Sequence, residues 1–396
     1  MPRNSAWRRP ERPDVLTLIE NGEVYAPAPL GRRDVLTLDR RIARIGEVDA
    51  AALAALGLEL DVVDARDCLV TPGLIDPHQH LLGGSGEKGF STQTPEVYAS
   101  ELALAGITTV VGCLGVDTTT KTMAGLLAKA KGLNEEGLTA YVLTGGYGLP
   151  PATLTGSLRE DIILIAEVIG AGEVAIADER ATAHDAPELA RVVKDAYVGG
   201  LLARKCGVTH FHVGEGTARL KLLRALIDDY EIAPSLIYPT HVERSEELMR
   251  EAVELAARGS YVDLDTVARD LPEWLRYYLD HGGDPARLTV SSDASINSPH
   301  TLFAQIRSCI LEHGFPLAQT LSHVTANTAA VLRLEHKGRL EVGRDADLLV
   351  LRKDTLEIKD VIAGGRRLVR DGALAFSENF LSESNRRIRL EGKKQD

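Results

Sequence analysis

His78 and His80 are separated by one residue at the end of an apolar segment, TPGLIDPHQH, residues 71–80. In a β-strand, side chains at i and i+2 share a face, so both imidazoles can converge on one point. Neutral imidazole is a common transition-metal ligand, and three histidines around an open position form a typical catalytic zinc arrangement. Two strand histidines satisfied by nearby carbonyls would show the same spacing, so the pair alone decides little. The segment that follows, LLGGSGEKG at 81–89, is a Gly-rich loop carrying one acid, Glu87. Such a loop lets backbone approach a ligand closely. Together the two segments read as the first wall of a hydrolase site.

Eight short apolar runs could position these groups: 73–80, 108–115, 140–147, 173–178, 209–214, 235–241, 261–266 and 288–293. Between them, the stretches 118–136, 184–206, 245–259 and 271–283 have helical spacing and charge. This β-then-α alternation predicts an α/β fold built on a (β/α)8 TIM-type barrel over residues 71–337. His78, His80, Tyr147, Glu173, His212, His241 and Asp293 fall at or near strand ends, mostly the C-terminal ends where such barrels carry catalysis. One polar residue ending a strand is usually a cap. Six strands supplying metal- or proton-binding side chains to one face are hard to explain that way.

The flanks, 14–70 and 338–378, are rich in strand and turn signals and are expected to pair as one small β-sandwich domain. Within them, VLTLIENGEVY at 15–25 reads as a hairpin with Asn21-Gly22 at its turn. Residues 379–396 read as a charged, frayed tail.

Bulk properties narrow the function. The 396-residue chain is 44% hydrophobic and 26% charged, an ordinary globular composition that can bury a large core. A net charge of −12 argues against binding polyanions or anionic membrane, and 5% aromatic content offers no base-stacking platform. No nucleic-acid or membrane partner is therefore expected. The basic segment Met1–Pro13 lacks the apolar core of a signal peptide, so the expected location is cytoplasmic. Cys68, Cys113, Cys206 and Cys309 form no CxxC pair and are expected to be reduced and buried.

His78, His80, His212, His241 and Asp293 supply imidazoles and a carboxylate from strands 1, 5, 6 and 8 of the barrel. Two divalent metals would also need an anionic bridge, for which Glu173 on strand 4 is the candidate. His184, His281, His300, His313, His323 and His336 lie in helices or loops and are read as structural. His210 shares a face with His212 but opens its strand, and is read as non-ligating.

With these positions the chain resembles the amidohydrolase superfamily and, within it, the isoaspartyl dipeptidase branch. The resemblance rests on HQHLLGGSGEKG (78–89), TPE (94–96), NEEG (134–137), LTGGY (143–147), TGS (155–157), DER (178–180), GVTHFHVG (207–214), PTHVER (239–244) and SSD (291–293). It also includes GRDADL at 343–348, and it spans residues 15 to 374. It implies a homo-oligomer, an octamer, with a dipeptide as small-molecule substrate and two zinc ions per chain. It assigns Glu87, with Gly86 beside it, to the substrate amine, and Arg180 and Arg244 to carboxylate. Tyr147 would polarise the scissile carbonyl. The implied reaction is cleavage of the β-aspartyl peptide bond by a metal-bridging hydroxide with Asp293 as general base. Cyclic-amide hydrolysis and a non-catalytic scaffold are the alternatives.

The chain departs from the branch at three places. Glu173 stands where a carboxylated lysine is usual; Glu is shorter, and an additional residue near Ala171 and Gly172 is expected to bring the backbone closer. Val116 replaces a substrate-binding threonine. The loop after Asp293 (ASINSP, 294–299) is short, leaving Asn297 and Ser298 as its candidate polar contacts.

Overall fold

The computed structural model describes residues 16–384 apart from Leu56, Leu58, Ser85 and Ser295. The basic N-terminal segment and the last part of the charged tail lie outside the described residues.

The chain begins with β1 (Leu16–Tyr25), β2 (Pro29–Leu38), β3 (Arg41–Gly46), β4 (Leu60–Asp64) and β5 (Cys68–Pro72). Eight strands follow: β6 (Leu74–Gln79), β7 (Ile107–Gly112), β8 (Thr139–Thr144), β9 (Val168–Ile176), β10 (Thr209–Val213), β11 (Ile237–Thr240), β12 (Val262–Asp265) and β13 (Leu288–Ser291). The last four are β14 (Leu348–Arg352), β15 (Ile358–Ala363), β16 (Arg366–Arg370) and β17 (Ala373–Leu374).

β6 to β11 form a continuous parallel ladder, and β12 pairs parallel with β13. Gln79 at the end of β6 bridges to Ala294 just beyond β13, which brings the eighth strand back to the first. The result is the expected TIM-type barrel. Its strands are buried on both faces, which is why they read as apolar runs and not as alternating patterns. One run is longer than its sequence suggested: the fourth strand starts at Val168, so Glu173 lies inside it.

The intervening helices follow their own signals. Ala186–Ala203 is started by a reciprocal box in which Asp185 accepts from the Glu188 amide and Glu188 reaches back to the Asp185 amide. Its buried face, Leu189, Val192, Val193 and Ala196, packs on the barrel wall, and it stops at Arg204 in the left-handed region.

The two flanks meet in one sheet. β5 pairs parallel with β1 and antiparallel with β14, from Cys68 opposite Arg352 to Pro72 opposite Leu348. Ile19, Val24, Val35, Ile42, Val70, Leu348 and Ile362 form its core. Two expectations need correction here. Asn21-Gly22 is a bulge within the single strand β1, not a hairpin turn: the register against β2 jumps between Ile19 and Gly22. The Asn21 amide donates to Asp34, and a Cβ on Gly22 would stand 2.4 Å from Val70 Cγ2, so close packing selects glycine. The start of the tail is also ordered. Asn379–Ser382 forms a short 3-10 turn whose first amide donates to Glu136 at 2.8 Å.

Candidate active site

The C-terminal strand ends gather the chemistry. His78 and Gln79 close β6 and His80 follows it; Glu173 comes from β9, His212 from β10, and His241 and Asp293 follow β11 and β13. His241 (φ 64°) and Asp293 (φ 52°) both adopt the left-handed conformation that L-residues avoid, which turns their side chains off the strand direction.

Glu173 reaches the centre through a bulge. Thr209 pairs with Ala171 but Phe211 pairs with Val174, so Gly172 and Glu173 together face His210. This is the additional residue anticipated from the shorter side chain. Gly172 is required there: its φ is +139°, and a Cβ would lie 2.7 Å from the His210 carbonyl oxygen.

The donor atoms converge tightly. Asp293 Oδ1 lies 3.3 Å from His78 Nε2 and 3.2 Å from His80 Nε2. Glu173 Oε1 lies 3.4 Å from His80 Nε2, and its Oε2 lies 3.6 Å from His78 Nε2 and 3.2 Å from His212 Nδ1. Glu173, His212 and His241 form a second group whose donor atoms lie within 4.8 Å of one another. His78 Nε2, both Glu173 oxygens and Asp293 Oδ1 are buried without a hydrogen-bond partner. Buried bases facing one another unpaired are costly unless a cation sits among them. A metal ~2.1 Å from each donor in a tetrahedral shell holds its ligand atoms ~3.4 Å apart. The observed separations fit that shell, so this constellation can hold divalent metal.

Outer partners aim the rings. His210 Nδ1 lies 2.9 Å from the Tyr238 carbonyl and so carries the proton; its Nε2 then accepts from His78 Nδ1 at 2.8 Å. That leaves His78 Nε2 as a lone pair directed at the centre. His241 Nδ1 is 2.6 Å from Asp265, and His212 Nε2 is 3.0 Å from Asp178. Each ring is thereby held in one tautomer by a group behind it. Burial pushes the carboxyls of Glu173 and Asp293 upward, but the imidazoles around them win and hold both well below the usual carboxylate range.

Tyr147 lies over this group with its hydroxyl 2.8 Å from His212 Nδ1. Burial and then the Glu173 charge push its phenol far up, so it remains an O–H donor. His184 supports this loop by donating to the Tyr147 carbonyl at 3.0 Å. The pocket above the donors is walled by Glu87, Val116, Tyr147, Arg180, Arg244 and Ile296. Arg180 is fixed by Asp178 at 2.8 and 2.7 Å and also bonds Glu87 at 2.6 Å. Glu87 and Arg180, expected to serve separate substrate groups, thus form one ion pair across the pocket mouth.

Gly86, Asn297 and Ser298 are not brought to the pocket wall. Asn297 donates its amide to the Thr266 and Val267 carbonyls, tying the short loop to the end of β12. Ser298 faces the first turn of the helix His300–Leu311, and Gly86 turns against Gln93. Ile296 takes the wall position instead. Asp178 and Asp265, which sequence reasoning left without a role, are the partners of His212 and His241. Their only sequence signal is an acid at a strand's C-terminal end (Asp265) or just past it (Asp178).

Fold and donor set together define a class. The chain belongs to the amidohydrolase family, whose family model matches residues 69–368, and it is a metal-dependent hydrolase. It is similar to the crystal structure of beta-aspartyl dipeptidase from the thermophilic, keratin-degrading Fervidobacterium islandicum AW-1. That match has 37% identity and a TM-score of 0.87, covering 92% of this chain and 100% of that one. A structure of beta-aspartyl dipeptidase from the same organism in complex with beta-Asp-Leu dipeptide matches at 36% identity and a TM-score of 0.85, covering 92% and 99%. Among curated relatives, imidazolonepropionase of Myxococcus xanthus is 26% identical over 347 residues, 78% of this chain and 81% of that protein. The resemblance to isoaspartyl dipeptidases within the superfamily is thus supported over nearly the whole chain. Among the described residues, no helix is long and apolar enough to cross a membrane.

Proposed function

We propose that this protein hydrolyses the β-aspartyl bond of isoaspartyl dipeptides with two divalent ions, zinc, at its centre. The observation that carries this reading is the meeting, in one pocket, of unpaired metal-type donors with Glu87, Arg180 and Arg244. A β-aspartyl dipeptide presents one ammonium and two carboxylates, the complement of those three charges. The dipeptide named with the similar structure has that same chemistry.

His78, His80 and Asp293 would hold one ion and His212 and His241 the other, with Glu173 shared between them. Metal there supplies carbonyl polarisation and lowers the pKa of water toward ~7. Asp293, kept deprotonated by His78 and His80, takes a proton from the attacking water and returns it to the leaving amine. Tyr147 donates its O–H to the carbonyl oxygen as negative charge develops. Substrate replaces the Glu87–Arg180 pair: its ammonium takes Glu87 and its carboxylate takes Arg180, so neither residue is left uncompensated. Arg244, whose nearest acid is Glu215 at 3.9 Å, is free to take the second carboxylate by a planar fork.

A panel of β-Asp-Leu, α-Asp-Leu, dihydroorotate and a hydantoin tests this. Hydrolysis of β-Asp-Leu with α-Asp-Leu slower by orders of magnitude is expected. Ring opening of the cyclic amides with no action on β-aspartyl peptides would move the protein to the cyclic-amide hydrolases.

A further inference from the structure

Cys113 is the first residue after β7, and its amide donates to the Gln79 carbonyl at 2.9 Å, which places it beside the two histidines at the end of β6. It is 2% exposed yet faces the metal pocket. Its sulfur, His78, His80 and Glu173 form one group whose donor atoms all lie within 4.8 Å of one another. The sulfur donates to the Gln79 carbonyl, 3.6 Å away, and its other polar neighbour is His78. Two other members of the group are unsatisfied: His78 Nε2 and both Glu173 oxygens are fully buried and have no hydrogen-bond partner.

We infer that Cys113 is a metal ligand, contributing a thiolate to the ion held by His78, His80, Glu173 and Asp293. The inference rests on the metal-binding part of the function proposed above. A zinc ion ~2.3 Å from sulfur and ~2.1 Å from nitrogen holds those two ligand atoms ~3.6 Å apart in a tetrahedral shell, so donor atoms that already lie within 4.8 Å of one another close on it with a shift of about 1 Å or less. Charge argues the same way. Asp178 and Asp265 stand behind His212 and His241, the ligands of the other ion, while among the described residues His78 and His80 have no carboxylate behind them, so one further anionic ligand balances the charge on their side. On coordination the S–H bond breaks, sulfur keeps the electron pair for the metal, and the proton leaves to solvent. The soft donor biases the site toward zinc over magnesium or calcium.

The other cysteines are different. Cys206 bonds the Ile169 carbonyl at 2.8 Å, Cys68 sits in the core of the small sheet and Cys309 in that of the barrel helices. Among the described residues none of them joins a metal-capable group.

The test is titration of metal-free protein with Co2+, read by absorption. An intense near-ultraviolet sulfur-to-cobalt charge-transfer band should rise with binding. It should be absent in Cys113→Ser and Cys113→Ala and retained in Cys309→Ser. Chelator competition should show Co2+ held at least ~10-fold more weakly by Cys113→Ser, because even loss of outer partners costs that much. Visible cobalt bands without the near-ultraviolet band in the wild type, or a band that survives Cys113→Ser, would overturn the inference and leave the metal-binding reading standing. No cobalt binding at all would overturn both. If the variants fail to fold, the wild-type spectrum decides alone, since no other cysteine reaches the site.

Discussion

His78 Nδ1 lies 2.8 Å from His210 Nε2, and His210 passes the contact on to the Tyr238 carbonyl at 2.9 Å. Burial, and then the neighbouring His78, push the pKa of His210 well below the usual imidazole range, so its ring stays neutral and accepts. The ring that sequence spacing set aside as non-ligating is the one that aims a ligand.

His210→Phe keeps the ring volume but removes the acceptor. The stranded His78 N–H should destabilise the fold by ~1–3 kcal/mol. Metal affinity should fall by ~10–100-fold, as for other partners behind a metal-binding histidine. Chelator competition and urea unfolding measure both. Metal affinity equal to wild type would show that the relay does not orient His78.

Glu173→Gln should lose most activity and retain metal poorly, because a neutral amide is a weak anionic bridge. Wild-type activity should not respond to bicarbonate, since no carbamate has to form at a glutamate. Gly172→Ala should mimic the loss at one remove. Its Cβ would press on the His210 backbone and move Glu173 out of the ligand group. Metal analysis after gel filtration reads both variants, and a fully active Glu173→Gln enzyme would shift the bridge to another acid.

Arg244→Met should lower kcat/KM on β-Asp-Leu by ~100-fold or more, the cost of leaving a substrate carboxylate unpaired, and Glu87→Gln by less, because the half-exposed Glu87 side chain at the pocket mouth is screened by solvent. Metal content should not change. Asn297→Ala should behave differently: its amide serves the β12 loop, so a stability loss of about 1 kcal/mol is expected with kcat/KM close to wild type. A hundredfold kinetic defect in Asn297→Ala would return that residue to the substrate pocket.

His323 gives a pH signature far from the pocket. Burial lowers its pKa from 6.5 to about 4, only partly opposed by its bond to the Leu288 carbonyl. An unfolded chain takes up the proton near pH ~6.5 and the folded protein does not, so stability rises with pH across this interval. Acidification from pH ~6.5 to ~4 should therefore cost roughly 3 kcal/mol through this one residue. His323→Gln should flatten that part of the profile in urea unfolding at stepped pH. An identical acid slope in the variant would assign the titration to other groups.

The barrel, its catalytic end and most of the donor set were legible in the sequence because the information is local. Two-residue periodicity puts His78 and His80 on one face, apolar runs mark doubly buried strands, and polar residues at their ends mark the open face. The need for an extra residue before Glu173 was legible too, because a shorter side chain demands a closer backbone. Asn21-Gly22 misled because the bulge puts Asn21 in the left-handed region (φ 65°), the conformation that an Asn-Gly hairpin turn also asks of its first residue. Only the pairing of β1 with β2 and its contact with Val70 separates them.

What the linear order could not carry is which group stands behind which. Asp178 behind His212, Asp265 behind His241, His210 behind His78 and Glu87 against Arg180 are contacts between different strands or loops. Each depends on barrel closure and on angles summed around the ring. Residue type and spacing determined that metal chemistry was possible at the strand ends. The tertiary structure decided which nitrogen of His78, His212 and His241 faces the centre, because a tautomer is set by the hydrogen bond on its far side, and that partner comes from elsewhere in the chain.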